Sequence, residues 1–303
     1  MKLEGKVAIV AGGGQGIGEG IVRCLAEEGA DIAIADINGE TARKVAGEVK
    51  SMGRKALPIV ADLTDENQVT KTVRDTMDFF GKIDILVNNV GGSLDERRKV
   101  FREYASSLSD DALPSYMHFG PEVWDRYYQL NLKSHVLMSH AVTPHLIKQR
   151  SGKIVNISSV AARMGGPEHM PYHAFKAGDI SITWSLARAL APYNVTVNCV
   201  CPGHVFTPLW ERSATAMLEG LRNARAQGLP LPPRFQSATA GESDLDEITP
   251  YEFWMKYTII PSTPLGRDQT AEDMGRAVVF FVSEDARNIT GQTIHVDGGI
   301  AMR

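Results

Sequence analysis

The chain is predicted to fold as a single α/β domain built on a doubly wound parallel sheet with insertions. Three observations predict this. Short apolar, β-branched runs alternate with stretches of helical periodicity along most of the chain. The first two runs are joined through a glycine-rich turn and a helix, a crossover that makes parallel neighbours. No repeat, low-complexity tract or linker divides the 303 residues.

The first run, KVAIVA at 6–11, reads as a buried strand. GGGQGIG follows at 12–18, then a helix in which Ile21, Val22, Leu25 and Ala26 recur with helical spacing. DIAIAD at 31–36 is the second strand. The turn between them carries Gly12, Gly16 and Gly18, a G-x-x-x-G-x-G spacing. Glycines there allow a tight turn and let backbone N–H groups approach a diphosphate at the helix N-terminus. Asp36 ends the second strand, where a carboxylate accepts hydrogen bonds from the adenosine ribose hydroxyls. A carboxylate also repels a 2′-phosphate, and no Arg or Lys lies in the turn or just after Asp36, so the cofactor expected is NAD rather than NADP.

ALPIVADL at 56–63 is a third strand, with Asp62 at its end in reach of an adenine edge. A helix near 66–80 leads to a fourth strand at 83–88, and Asn88 and Asn89 fall at its carboxyl end, where ligands bind in such sheets. A helix containing Trp124, Tyr128, Asn131 and His135 precedes GKIVNISSVAA, a fifth strand ending in Ser158 and Ser159. Tyr172 opens the next helix, with Lys176 four residues on and therefore on the same face. VTVNCVCPG is the sixth strand, and a helix near 270–284 and QTIHVDGG close the sheet.

Composition narrows the function. Hydrophobic residues at 43% and charged residues at 22% suit a soluble globular protein, and a net charge of -4 gives no basic excess for nucleic acid. The N-terminus lacks a signal-peptide layout, and no stretch approaches the roughly 20 apolar residues of a membrane span. Cys24, Cys199 and Cys201 match no zinc or redox spacing and read as buried thiols in a reducing compartment. The expectation is a cytoplasmic protein with no metal.

These motifs together resemble the short-chain dehydrogenase/reductase family, in its shorter NAD(P)-dependent branch. The resemblance rests on GGGQGIG, NNVG at 88–91, Asn131, NISS at 156–159, YHAFK at 172–176, PGHVFT at 202–207 and VDGG at 296–299, in that order. Two departures are visible: Ala11 stands where the family usually has Thr, and Val90 where the NNAG turn usually has Ala. The resemblance implies a Rossmann-like fold and an NAD(H)-dependent enzyme interconverting a secondary alcohol and a ketone. Tyr172 would exchange a proton with the substrate oxygen. Its free pKa of about 10 would be lowered by the charge of Lys176, which in the family also binds the nicotinamide ribose. Ser159, selected over Ser158 by its spacing to Tyr172, would hydrogen-bond the substrate oxygen. Asn131 would hold a water linking Lys176 to solvent. The implied cofactor site comprises Gly12, Gln15, Gly16, Ile17, Gly18, Asp36, Asp62, Leu63, Asn88, Gly91, Tyr172, Lys176, Pro202, Gly203, Val205 and Thr207. Family members usually assemble as symmetric homo-oligomers, here a tetramer or dimer.

The chain is longer than compact members of that family. The extra residues fall at 93–120, before the Asn131 helix, and within 204–262, which reads as an enlarged substrate-binding lid. Phe206, Leu209, Trp210, Met217, Phe253, Trp254 and Met255 could form one apolar wall, and Tyr116, Met117 and Phe119 another. The substrate implied is bulky and apolar, cyclic or aromatic; alternatively the segments pack on neighbouring subunits or on the domain's own surface. His135, His140 and His145 do not keep one helical face, and the histidines read as surface or supporting residues rather than metal ligands, although His173 and His204 fall near the site. Two rival functions stand beside this one. A 3-oxoacyl-thioester reductase would want a basic pocket mouth, where Arg97, Arg98, Lys99 and Arg102 are largely offset by Asp95, Glu96 and Glu103. A catalytically silent NAD-sensing scaffold would not be expected to retain Ser159, Tyr172 and Lys176.

Overall fold

The computed structural model describes residues 1–93, 117, 119–166, 169–229, 235, 245 and 247–302. Tyr116 and the charged run from Asp95 to Glu103 lie outside them.

Seven parallel strands form one sheet in the order β3-β2-β1-β4-β5-β6-β7. They are β1 Val7–Ala11, β2 Asp31–Asp36, β3 Ala56–Val60, β4 Ile85–Asn88, β5 Gly152–Ile157, β6 Val195–Pro202 and β7 Thr293–Val296. The apolar run of β1 is buried throughout. Ala8 and Val10 face one core layer; Ile9 and Ala11 face the other. The first layer is covered by α1 (Gly16–Glu27), α2 (Gly39–Ser51) and a helix near the C-terminus, Ala271–Val282. The second is covered by α3 (Glu66–Phe80), α5 (Ser134–Gln149) and α6 (Met170–Leu190), with α4 (Pro121–Tyr128) leading into α5.

Register brings the C-terminal ends of the central strands together. Ala11 pairs with Ala35 and Asn88, and Asn88 pairs with Asn156. The strand order reverses between β1 and β4, so the crevice for a ligand opens above Ala11, Asp36 and Asn88.

The elements follow the expected order; β4 starts at Ile85 rather than at residue 83, and three further differences bear on the site. β3 ends at Val60 instead of running to Leu63, because Asp62 turns the chain by accepting from Thr64 N–H at 2.9 Å. β5 stops at Ile157, leaving Ser158 and Ser159 beyond it, and Ser159 caps a short 3₁₀ turn, Val160–Arg163. Between α4 and α5 the helix widens to a π-turn at Gln129–Lys133, which holds Asn131.

Beyond the sheet, α7 (Pro208–Ala226) and α8 (Pro250–Trp254) share a separate apolar cluster of Leu218, Leu221, Phe253, Trp254 and Ile259. Thr249 and Glu252 form a reciprocal cap at the start of α8. A second reciprocal cap, Thr270 with Asp273, starts α9 (Ala271–Val282). Among the described residues no helix is long and apolar enough to cross a membrane.

Candidate active site

The turn after β1 is shaped by contacts only glycine permits. Gly12 and Gly16 have φ of +75° and +58°. A Cβ on Gly18 would lie 1.9 Å from the Gly12 carbonyl oxygen. The turn is braced by Asp36, whose Oδ2 accepts from Gly14 N–H and whose Oδ1 accepts from Asn38 N–H, both at 2.9 Å. α1 begins just after Gln15 with no side-chain cap, so its first N–H groups are open to an anion. An uncapped 12-residue helix behind a glycine cradle, with a carboxylate at the end of β2, fits a dinucleotide.

Neighbouring loops complete the cradle. Asn89 Nδ2 donates to Gly12 O at 2.9 Å, tying the turn after β4 to the glycine turn. The Asn88 side chain turns inward, donating to Ser139 Oγ and Asn156 Oδ1, so its backbone is the part that borders the crevice. Ile17 packs on the core beneath the turn, and Leu63 is buried in the other layer. Asp62 Oδ1 is engaged by both the N–H and the hydroxyl of Thr64. Across the crevice, Thr207 approaches to 3.3 Å from where a Gly16 Cβ would stand.

The loop from Pro202 to Thr207 is held by Gln269, which no sequence motif marks, and by Asp297 of the VDGG motif. Gln269 Oε1 accepts from His204 N–H at 2.9 Å, and Gln269 N–H donates to His204 O at 3.1 Å. Val205 is buried and bridges to Gln269, and a Cβ on Gly203 would meet Gln269 Oε1 at 2.4 Å. Asp297 of the VDGG motif accepts from Gly299 and Ala301 N–H, so that motif is a strut under the loop.

The four proposed catalytic side chains are carried by adjoining elements. Asn131 Oδ1 accepts from Gly92 N–H at 2.8 Å while its Nδ2 donates to Gly92 O and Tyr127 O. Asn131 thus clamps the turn after β4, and a Cβ on Gly91 would touch both Asn131 Oδ1 and Lys176 Nζ. Ser159 Oγ accepts from Ala161 N–H, leaving its own hydrogen to donate. Ser158 donates to Lys176 O at 2.7 Å, which fixes α6 against the end of β5. The Tyr172 ring stands edge-on to Tyr127 and tilted against His169.

Lys176 is buried and donates to Ile157 O at 2.9 Å and to Asp179 Oδ2 at 3.0 Å. Burial opposes its charge, but the attraction of Asp179, and then of Tyr172, holds its pKa above the ordinary lysine value. Asp179 Oδ1 in turn meets His135 Nδ1 at 2.8 Å, and His135 Nε2 meets Val90 O at 2.7 Å. His135 is therefore a buried support, not a surface residue. Neither Asp179 nor the role of His135 was legible in advance, because one buried acid in an otherwise ordinary helix leaves no periodic signature. The His173 ring is held against the turn after β5, its Nδ1 donating to Ala161 O and Met164 O. Among the described residues no group of three or more His, Cys, Asp and Glu is placed to hold a metal.

Directly after Pro202–Thr207 comes an aromatic box. The Phe206 ring lies 5.0 Å from Trp254 and 5.1 Å from Tyr251, and Trp210 touches both Trp254 and His204. Phe253 and Trp254 are buried in the α7–α8 cluster, while Met217 is 41% exposed. On the other side Phe119 is buried beside Val123 and Tyr127, whereas Met117 is exposed.

Comparison with known proteins agrees with this architecture. A family model described as short chain dehydrogenase matches residues 6–217, and one described as Enoyl-(Acyl carrier protein) reductase matches 250–301. The chain is 32% identical to a 3-oxoacyl-[acyl-carrier-protein] reductase of Thermotoga maritima, across all of both chains. It is 30% identical to the (2S)-[(R)-hydroxy(phenyl)methyl]succinyl-CoA dehydrogenase subunit BbsD of Thauera aromatica, over 99% of this chain and 98% of that one. A solved putative short-chain alcohol dehydrogenase from Sinorhizobium meliloti superposes with a TM-score of 0.74 at 27% identity, covering 99% of this chain and 97% of that one. A levodione reductase superposes with a TM-score of 0.75 at 25% identity, covering 98% of both chains. The parallel seven-stranded sheet, the glycine cradle at its switch point and the match over residues 6–217 make this chain a member of the short-chain dehydrogenase/reductase family, an oxidoreductase.

Proposed function

We propose that the protein is an NAD(H)-dependent dehydrogenase that interconverts a bulky, apolar secondary alcohol and its ketone. The observation that carries the substrate class is the box of Phe206, Trp210, Tyr251 and Trp254, which begins within four residues of Pro202 at the crevice mouth. Asp36 at the end of β2 favours a free ribose hydroxyl over a 2′-phosphate, which supports NAD. Gly12, Gln15, Gly16, Ile17 and Gly18 would cradle the diphosphate. Asp62 and Leu63 would border the adenine, and Asn88, Gly91, Pro202, Gly203, Val205 and Thr207 the nicotinamide half. A bound nicotinamide supplies the acceptor or donor of hydride.

The chain's own groups would handle the proton. In the oxidative direction Ser159 Oγ holds the substrate oxygen and Tyr172 Oη removes the hydroxyl proton as the carbinol hydrogen departs as hydride. Lys176, through its charge, stabilises the phenolate form of Tyr172 that accepts this proton, and Asn131 fixes the turn that carries Gly91 and Gly92 beside it. In the reductive direction the same proton returns to the carbonyl oxygen. Residues 204–262 would serve as the lid and 93–120 as a second insertion in a single domain spanning 1–303. Assembly into a tetramer or dimer would cover β7, an edge strand that is half-buried along its length.

A second reading is a 3-oxoacyl-thioester reductase, favoured by the printed activity of the Thermotoga maritima relative. The test is turnover on a panel of secondary alcohols from open-chain to aromatic with NAD and NADP, alongside a 3-oxoacyl thioester with NADH and NADPH. Oxidation with NAD that rises with apolar bulk supports the proposal. Turnover confined to the thioester moves it to the second reading. Tyr172→Phe should lower kcat at least about 1,000-fold, the scale of a lost acid–base group, while NAD still raises the melting temperature.

A further inference from the structure

His135, Asp179 and Lys176 form a charged line inside the protein, each at most 3% exposed. Desolvating three such groups is expensive, and an ion pair buried this way is a poor device for stability alone. Its hydrogen-bond pattern adds a constraint on protons. Val90 O can only accept, so the His135 Nε2 facing it at 2.7 Å must carry a hydrogen. A neutral imidazole would then present a bare Nδ1 to the Asp179 carboxylate at 2.8 Å, setting one acceptor against another. The contact closes only if the pair holds a second proton. Asp179 already faces the Lys176 ammonium through its other oxygen, which keeps it ionised and leaves the second proton on the imidazole.

We propose that His135 is held as an imidazolium between Asp179 and the Val90 carbonyl, and that its charge offsets Asp179 so that Lys176 acts on Tyr172 as an unneutralised cation. The inference rests on the reading of Tyr172 as the general acid–base. Without His135 the Lys176–Asp179 pair is a net-neutral dipole whose field at the phenol is weak. With it the line carries one net positive charge. The raised Lys176 pKa is consistent with a charged ammonium throughout. The other titratable groups facing the line are Tyr172 on α6 and the thiols of Cys199 and Cys201 on β6; Asn156 and Ser158 on β5 are uncharged. The turn after β4 contributes only its carbonyl. His135 and Asp179 are positioning residues, since they reach the reaction through Lys176.

The experiment is the pH profile of kcat/KM for NADH formation from an alcohol turned over by the wild type, compared with His135→Asn, Asp179→Asn and the double variant. His135→Asn should move the half-maximal pH up by about one unit, the size expected of one charge at close range in a partly buried site. The rate at pH 7 then falls about tenfold and is recovered at high pH. The double variant should match Asp179→Asn within about half a unit, because His135 carries no second proton once the carboxylate is gone. A uniform fall in kcat across the profile for His135→Asn, with no displacement, overturns the proposal. Should that variant not fold, ¹⁵N spectra of ring-labelled histidine in the wild-type protein decide. One histidine protonated at both nitrogens at pH 8.5 and lost in Asp179→Asn supports the imidazolium, and its absence overturns it. Turnover that survives in Tyr172→Phe instead defeats the acid–base reading, while the spectra still test the pair.

Discussion

Asn156 joins a chain of buried polar groups that links the cofactor turn to α6. Its Oδ1 accepts from Asn88 Nδ2 and its Nδ2 donates to Thr183 Oγ1, each at 2.8 Å, and Thr183 donates in turn to Asp179 O. All of these residues are buried. Asn156→Leu would fill the space but strand the Asn88 donor, and an unmet buried group costs about 1–3 kcal/mol. Urea unfolding should register a loss of that size at unchanged slope, with weaker NAD binding because the Asn88 turn loses its anchor. The glycines offer a sharper contrast. Gly18→Ala would drive a Cβ into the Gly12 carbonyl and should cut NAD affinity at least about tenfold, read by calorimetry. Gly47, inside α2 with nothing within 4 Å of a Cβ, is the control: Gly47→Ala should raise stability by up to about 1 kcal/mol.

At the scale of elements, α7 and α8 stand apart from the two layers that sandwich the sheet. Their cluster is closed by Leu218, Phe253 and Trp254, and the aromatic box grows out of it. Trp254→Ala should therefore loosen this cluster locally more than it destabilises the sheet. Hydrogen exchange should quicken across Pro208–Ala226 while β1 and β4 amides keep their protection, and KM should rise more for bulky than for small alcohols. An even loss of protection across the sheet would contradict that separation. The same division governs what the sequence made legible. Strands such as VAIVA and DIAIAD announce themselves because both faces are buried, and α3 is bounded by Asp65 and Gly81, caps with local chemistry. The π-turn at Gln129–Lys133 was invisible, since widening a helix by one residue alters no apolar period. Tyr172 and Lys176 stood out by spacing, and Asn131 and Ser159 by the resemblance of their motifs to the family pattern. Gln269 and Asp179 did not, because their partners, the His204 backbone and His135, are distant in sequence and meet only in the fold.

For the whole molecule, groups displaced from their ordinary pKa define a window of stability. Burial pushes His204 below the usual histidine value against the pull of Asp297, and burial does the same to His295 on β7. Below about pH 6.5 the unfolded chain takes up protons that the folded chain resists, so stability falls as pH drops. At the other end, burial raises the Cys24 thiol from 9.0 to about 11. As pH climbs between those values the unfolded thiol ionises while the folded one, packed beside Gly275, does not, and stability falls again. Above pH 10.5 the unfolded chain also discharges Lys176 before the folded chain does, which adds in the same direction. Urea midpoints should therefore fall as pH drops below about 6.5 through His204 and His295, and fall more steeply above about pH 9 through Cys24, with the slope between set by the proton that His135 keeps in the fold. His204→Gln should flatten the acid side and Cys24→Ala the alkaline side, each without altering the unfolding slope. Cys24→Ala also opens a small cavity, so its whole curve should sit lower even as its alkaline limb becomes less steep. Only the limb reports the thiol: an alkaline decline of unchanged steepness in that variant would assign it to lysines and tyrosines elsewhere. Slow alkylation of native Cys24 at pH 8 follows from the same burial.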